Sequence, residues 1–226
     1  MKSLIVINPN SSETVTRGID TAVEPLRRFG TPIRCLTLAA GPAGIETQLQ
    51  ADRTIAPMLD LAAQQKDAAG YVIACFGDPG LHALRDQTAL PVTGIQEAAV
   101  MTALTLGHRF GVISILARSV PRHLRAFGAM GVLDRLAGDR ALGLGVADLA
   151  DDDNCLQAMI RTGKTLRDKD GADVLIMGCA GMARYRDDLK DATGLPVVEP
   201  TQAAAAMALG QIALRLTHRN ERPCDD

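Results

Sequence analysis

The chain of 226 residues repeats itself, and the repeat carries a cysteine at the same place each time. Tyr71-Val72-Ile73-Ala74-Cys75 matches Leu175-Ile176-Met177-Gly178-Cys179, 104 residues on. Leu90-Pro91-Val92 matches Leu195-Pro196-Val197 at an offset of 105. Leu4 to Ile7, followed by the turn Asn8-Pro9-Asn10-Ser11, pairs with Gly111 to Leu116, followed by Ala117-Arg118-Ser119, at an offset of 106. Loop insertions produce drift of this size, so the chain reads as two structurally similar halves.

Within each half, short apolar or β-branched runs alternate with longer helix-like segments, the pattern of parallel strands joined by helical crossovers. Strands are expected near 3–8, 33–38, 71–75, 91–93, 111–116, 141–146, 174–178 and 196–198. Helices are expected near 12–29, 47–67, 79–88, 96–108, 119–136, 153–169, 183–192 and 200–218. Runs such as Leu4 to Ile7 and Val174 to Met177 are continuously apolar, as strands covered on both faces must be. The expected fold is α/β: two Rossmann-like, doubly wound parallel-sheet halves related by pseudo-two-fold symmetry, with the site in the cleft between them. Residues 1–94 with 200–218 form the first half, 95–199 the second, and 219–226 a polar tail.

Composition narrows the partners. With 47% hydrophobic and 22% charged residues, the chain buries a substantial core. A net charge of −2 with scattered Lys and Arg gives no electrostatic reason to expect nucleic acid or an anionic membrane. Aromatic residues make up 3% of the chain and Trp is absent, so base-stacking platforms are not expected. No stretch approaches the roughly 20 apolar residues of a membrane span. Five cysteines, an odd number, with no export signal point to reduced thiols and a cytoplasmic setting. Cys35 reads as a strand residue, Cys155 as a helix residue and Cys224 as part of the tail.

In open parallel sheets ligands gather beyond the carboxyl ends of the strands, which is where Cys75, Cys179, the Asn8–Ser12 turn and Ser119 fall. Phe76-Gly77-Asp78-Pro79-Gly80 follows Cys75, with Asp78 suited to cap a helix and Pro79 to its first position. A thiol ahead of such a helix start should favour its thiolate. Cys179 precedes Ala180-Gly181-Met182, whose small residues let backbone N–H groups approach a bound oxygen. A free cysteine is most often a core residue, but these two stand at strand exits beside glycine. Thiols duplicated around one cleft suggest proton transfer on both sides of a single carbon.

These motifs bear a resemblance over nearly the whole chain. Ile7-Asn8-Pro9-Asn10-Ser11-Ser12, Gly41-Pro42 with Ile45-Glu46, Ala74-Cys75-Phe76-Gly77-Asp78-Pro79-Gly80 and Gly178-Cys179-Ala180-Gly181-Met182 resemble the aspartate/glutamate/hydantoin racemase superfamily, in its hydantoin and allantoin racemase branch. The resemblance implies cofactor-independent inversion at C5 of a hydantoin-type ring, with Cys75 and Cys179 as the two acid-base groups and a homo-oligomeric assembly. It implies substrate contacts from Asn10, Ser11, Ile45 and Ser119, and backbone donors around Phe76-Gly77 and Ala180-Gly181. Amino-acid racemases of this group usually carry Asn-Thr after the first cysteine and Thr-Glu after the second. Phe76-Gly77 and Ala180-Gly181 stand there instead, which favours a neutral cyclic substrate. Amino-acid racemase and maleate-type isomerase activities remain open alternatives, as does a two-lobed binder without catalysis.

The remaining candidates have structural readings. Asn10 with Glu13 fits a capping arrangement for the first helix, which is compatible with a ligand contact. Ser119 fits a cap for its own helix. His82 falls in the first turn of a helix, where exposure to solvent is expected. His108, His123 and His218 read as surface or interface residues, and Glu199, at a strand exit, as a group that could polarise the cleft. Gly163-Lys164-Thr165 imitates the end of a phosphate loop without its first glycine, and Gly143-Leu144-Gly145 lacks the rest of a dinucleotide fingerprint. No zinc-ligand spacing occurs. No cofactor and no metal are expected.

Overall fold

The computed structural model describes residues 2–146 and 152–218. The tail 219–226, with Cys224, lies outside them. Two four-stranded parallel sheets carry the same strand order. The first, β2-β1-β3-β4, is built from β1 (Ser3–Asn8), β2 (Ile33–Thr37), β3 (Ala68–Ile73) and β4 (Val92–Gly94). The second, β6-β5-β7-β8, is built from β5 (Phe110–Ser114), β6 (Leu136–Ala141), β7 (Val174–Met177) and β8 (Val197–Val198). Register agrees between them: Ile7 sits beside Ile73 in one sheet and Ile113 beside Met177 in the other.

Nine α-helices connect these strands among the described residues: α1 (Glu13–Val23), α2 (Gln48–Arg53), α3 (Ile55–Ala63), α4 (Leu81–Gln87), α5 (Ile95–Leu104), α6 (Val120–Ala129), α7 (Asp152–Asp168), α8 (Arg186–Thr193) and α9 (Pro200–Ala213). Several helices expected as single segments are interrupted. The first becomes α1 followed by a 3-10 turn at Glu24–Phe29, because Pro25 lacks the N–H that a continuing α-helix needs.

Alternation along the strands sorts their side chains into three apolar clusters. Leu4, Val6, Val72, Phe110, Val112, Val174 and Ile176 enter a core shared by the two sheets. Ile5, Ile7, Tyr71 and Ile73 face the outer helices of the first sheet, while Ile113, Leu175 and Met177 face those of the second. The shared core is closed by α5, packed on β5, β7 and β8, and α9, packed on β1, β3 and β4. These two helices also pack on each other, and Ala98, Ala99 and Ala103 of α5 and Ala204, Ala205 and Ala208 of α9 are all fully buried. Small residues allow this close approach. A leucine in place of Ala99 or Ala204 would overpack the contact at a cost of about 1–3 kcal/mol.

One strand lies away from its expected place. β6 is Leu136–Ala141, not 141–146, and among the described residues it is a half-exposed edge strand that pairs only with β5. Its sequence is mixed, Leu-Ala-Gly-Asp-Arg-Ala, because an edge needs only one covered face and Asp139 is held by partners from neighbouring elements. Apolar periodicity therefore favoured the following segment.

Candidate active site

Both cysteines are placed by the same device. The N–H of Ala74 donates to the Ile7 carbonyl and that of Gly178 to the Ile113 carbonyl, each at 2.8 Å, extending the ladder one residue past the strand. Cys75 and Cys179 come next, each followed by a turn in which the residue three ahead donates back to the cysteine carbonyl. Both thiols line one cavity between the sheets, with Asn10, Ile45, Phe76, Ser119, Ala180 and Gly181 around them. Val15, Ile115 and Val146 complete its apolar walls.

The space is narrow. It amounts to about 450 Å³ measured to the atom surfaces, yet the centre of a water molecule can occupy only about 30 Å³ of it. That is room for about two waters, so admitting a ring requires the walls to part. A broader mouth, lined by Ser11, Ser12, Thr14, Gly44 and Glu46, adjoins it and shares Val15, Val146 and Gly181. Across this mouth the Glu46 carboxylate, from the first half, pairs with Arg118 and accepts from the Val146 N–H, both from the second.

Ser11 and Gly77 do not line the inner cavity. Ser11 lies at the mouth, with its N–H donating to the Pro42 carbonyl. Gly77, at φ +113°, is a conformation that requires glycine, and a Cβ there would lie 3.2 Å from Arg122 Nε. Asn10 is held by its neighbours: Oδ1 accepts from Asn8 Nδ2 and from the Ser12 N–H, each at 2.9 Å. The cap of α1 is Ser12, whose hydroxyl accepts from the Val15 N–H, rather than the expected Asn10–Glu13 pair. Asn10 Nδ2 is left without a partner among the described residues. Ser119 makes no capping bond, and its buried hydroxyl has no partner among the described residues.

Asp78 is the clearest correction to the helix-start reading. It adopts φ +46°, and α4 begins only at Leu81, with Gly80 as its cap. The Asp78 carboxylate instead accepts from the Gln96 and Glu97 N–H groups, both at 2.9 Å, and so caps α5. The helix expected at Cys75 thus starts six residues beyond it, and the expected thiolate preference is reversed. Burial pushes Cys75 up to about 12, opposed by the Arg122 cation and reinforced by the negative potential of Cys179. Burial pushes Cys179 up to about 11, opposed by the backbone N–H of Gly181. That Cys75 feels the charge of Cys179 across the cavity is expected only of close neighbours.

Glu199 does not line the cavity, but its charge raises the Cys179 thiol. It is buried and caps α9, accepting from the N–H groups of Thr201 at 3.0 Å and Gln202 at 2.6 Å. His123, expected at the surface or an interface, is 2% exposed and lines the cavity. Its ring stands edge-on to Phe76, 4.9 Å between centroids, and its Nδ1 lies 2.8 Å from Asp139 Oδ2. Arg122, beside it, brings a cation to the cavity, with Nε buried and unpartnered among the described residues. Motif reading missed both, although the spacing of Ser119, Arg122 and His123 places them on one face of α6. Among the described residues no group of three His, Cys, Asp or Glu side chains is arranged to hold a metal ion.

Comparison with known proteins agrees with this geometry. The sequence profile described as Asp/Glu/Hydantoin racemase matches residues 4–208. A hydantoin racemase of Paenarthrobacter aurescens is 35% identical over 93% of this chain and 91% of its own length, and one of Rhizobium meliloti is 35% identical over 90% and 86%. Among solved structures, the allantoin racemase of Klebsiella pneumoniae superposes with a TM-score of 0.90 at 30% identity, covering 97% of this chain and 91% of the other. That of Pseudomonas fluorescens superposes at 0.92 with 28% identity, covering 99% and 98%. Two matching sheets, a cysteine at each matching strand end and a profile that spans both place this chain in the Asp/Glu/Hydantoin racemase family.

Proposed function

We propose that this protein is a cofactor-independent racemase that inverts C5 of hydantoin-type rings, 5-substituted hydantoins or allantoin. One cysteine, as thiolate, removes the C5 proton. The C–H electron pair moves into the adjacent carbonyl to give an enolate, and the thiol on the opposite side delivers its proton to the other face of C5. The two sulfurs have then exchanged roles, and the next turnover can run in reverse. The observation that carries this reading is the pair of equivalent strand-end cysteines lining one narrow cavity. Inversion needs a base and an acid on opposite sides of one carbon within near-attack range, about 3–3.5 Å.

The surroundings suit a neutral ring. Ile45, Phe76, Ile115 and Val146 supply apolar walls, and among the described residues no carboxylate lines the inner cavity. Arg122, the Ser119 hydroxyl and the Asn10 amide offer donors where carbonyl oxygens of the ring would gather enolate charge. The names of the relatives, hydantoin and allantoin racemases, support the same substrate class. The test uses single-enantiomer allantoin and a 5-alkylhydantoin in deuterated water. The wild type should abolish optical rotation while placing deuterium at C5, and Cys75→Ser and Cys179→Ser should each racemise both compounds at least about 100-fold more slowly. Racemisation by both variants at the wild-type rate would exclude the two-thiol mechanism.

A further inference from the structure

A buried row of polar side chains ends at the cavity without having been used by the proton transfer. Ser114 donates its hydroxyl hydrogen to Asp139 Oδ1, and Asp139 Oδ2 lies 2.8 Å from His123 Nδ1. The Asp139 and His123 side chains are 1% and 2% exposed. A carboxylate oxygen accepts, so the hydrogen that joins Asp139 Oδ2 to His123 sits on Nδ1. Ser114 Oγ, 3.2 Å from the same nitrogen, adds a second oxygen on that side. The edge-on Phe76 ring, inclined by 80°, holds the imidazole plane. Nε2, on the other side of the ring, has no partner among the described residues, and in the tautomer with hydrogen on Nδ1 alone it carries a lone pair. Because His123 lines the cavity, that lone pair is available to a ligand.

Arg122 and Ser119, on the same face of α6, bring donors to this wall. A permanent cation already stands next to His123, so a neutral acceptor complements what the wall lacks. We infer that His123 Nε2 accepts a ring N–H of the substrate, with Asp139 and Ser114 as positioning residues that hold its tautomer. The inference rests on the cyclic-ureide reading above and sharpens it. The wall reads the alternating N–H and C=O groups along the edge of the ring, and a substrate whose facing nitrogen carries no hydrogen is rejected. An acceptor buried for this purpose and left unpaired discriminates strongly, as sites built to bond a substrate N–H do.

The test compares 5-methylhydantoin with its N1-methyl and N3-methyl derivatives in the wild type and in Asp139→Asn. The wild type should process one methylated isomer with kcat/KM lower by about 10- to 100-fold. Asparagine has nearly the shape of aspartate but can donate to Nδ1, which turns Nε2 into a donor. The gap should therefore narrow to within about threefold, because the parent hydantoin falls through a higher KM while the poor isomer barely changes. A steric clash with the methyl group would leave the gap the same in both proteins and would overturn the inference, as would the absence of a gap for either isomer. Nitrogen-15 spectra of the histidine-labelled wild type decide independently of whether the variant folds: a bare Nε2 in the His123 signal supports the assignment, and a protonated one overturns it. If the wild type racemises none of the three compounds, the racemase proposal falls and this inference with it. If it racemises all three alike, only the inference falls.

Discussion

The loops after β3 and β7 begin alike and end differently. Each leaves its sheet through the same hydrogen bond, presents a cysteine and turns at once. After Cys75 the chain passes through two positive-φ residues, Gly77 and Asp78, and fixes itself to α5 through the Asp78 carboxylate. After Cys179 it enters a 3-10 turn directly, with Cys179 at its start and the Gly181 N–H close enough to favour the thiolate. The helix that follows each sheet is capped by a carboxylate in both halves, but from different sources. In the second half it belongs to Glu199, at the cap position itself, whereas in the first that position is Gly94, where a Cβ would lie 2.2 Å from the Asp78 carboxylate. A duplicated fold can thus keep a local requirement, a negative group at a helix start, while reassigning the residue that meets it. In the first half the reassignment ties the thiol loop to the central helix.

The largest expected effect separates the two thiols. Cys75→Ser and Cys179→Ser should each reduce racemisation by about 10²- to 10⁴-fold, followed by polarimetry. The remaining cysteine should still exchange the C5 proton with solvent on its own face, so the two variants should exchange opposite enantiomers. Exchange of both enantiomers by either variant would break the assignment of one thiol to each face.

Next in size is the response to pH. Both thiols lie above the ordinary value of 9.0, at about 12 for Cys75 and about 11 for Cys179. Racemisation needs one thiolate and one thiol, so kcat/KM should rise about tenfold per unit from pH 7 to 10 as the first proton of the coupled pair is lost. Arg122→Met should displace this rise to higher pH, because the guanidinium lowers Cys75. A profile flat from pH 7 would show that thiol ionisation does not limit the rate. Conformational stability has the opposite sign. A group with a raised folded value favours folding while protonated, so this contribution is intact below pH 9 and declines as pH climbs toward 11 and 12.

The caps give a smaller and more pointed comparison. Asp78→Ala and Glu199→Ala each orphan two backbone N–H groups and should each cost about 2 kcal/mol in denaturant unfolding. Only Asp78→Ala should also lower kcat, by several-fold, since it frees the loop that carries Cys75. Moving the carboxylate to the cap position, as Asp78→Gly with Gly94→Asp, should restore stability without restoring kcat. Recovery of both would show that the tie between loop and helix has no catalytic consequence. The smallest effect is expected at the mouth, where Arg118→Ala removes a partly exposed partner of Glu46. Such pairs are worth about 0.2–1 kcal/mol, so KM should change by less than about fivefold in steady-state assays.

Much of this arrangement is readable along the chain. Continuous apolar runs mark strands covered on both faces, the repeat marks two equivalent sheets, and the glycine-flanked strand ends mark Cys75 and Cys179. Residues whose roles depend on neighbours distant in sequence are harder to read. Asp78 looks like the cap of its own helix because capping signals are local, yet it caps a helix that begins 17 residues later. His123 looks like a surface residue of an amphipathic helix, because nothing nearby in sequence announces the Asp139 carboxylate that satisfies it once buried. β6 is displaced for a related reason, since an edge strand with an inward carboxylate has no apolar signature.

The order of residues alone determined the two-sheet α/β fold, the equivalence of its halves and the position of a thiol at each strand exit, because these follow from periodicity, turn chemistry and repetition within short windows. Tertiary structure decided what those thiols experience. Closing the cavity removes the water that would stabilise a thiolate, and no propensity of Cys75 or Cys179 encodes that loss. It also decided which side chains surround them, since Arg122, His123 and Asp139 meet only when α6 and an edge strand are folded against the same sheet.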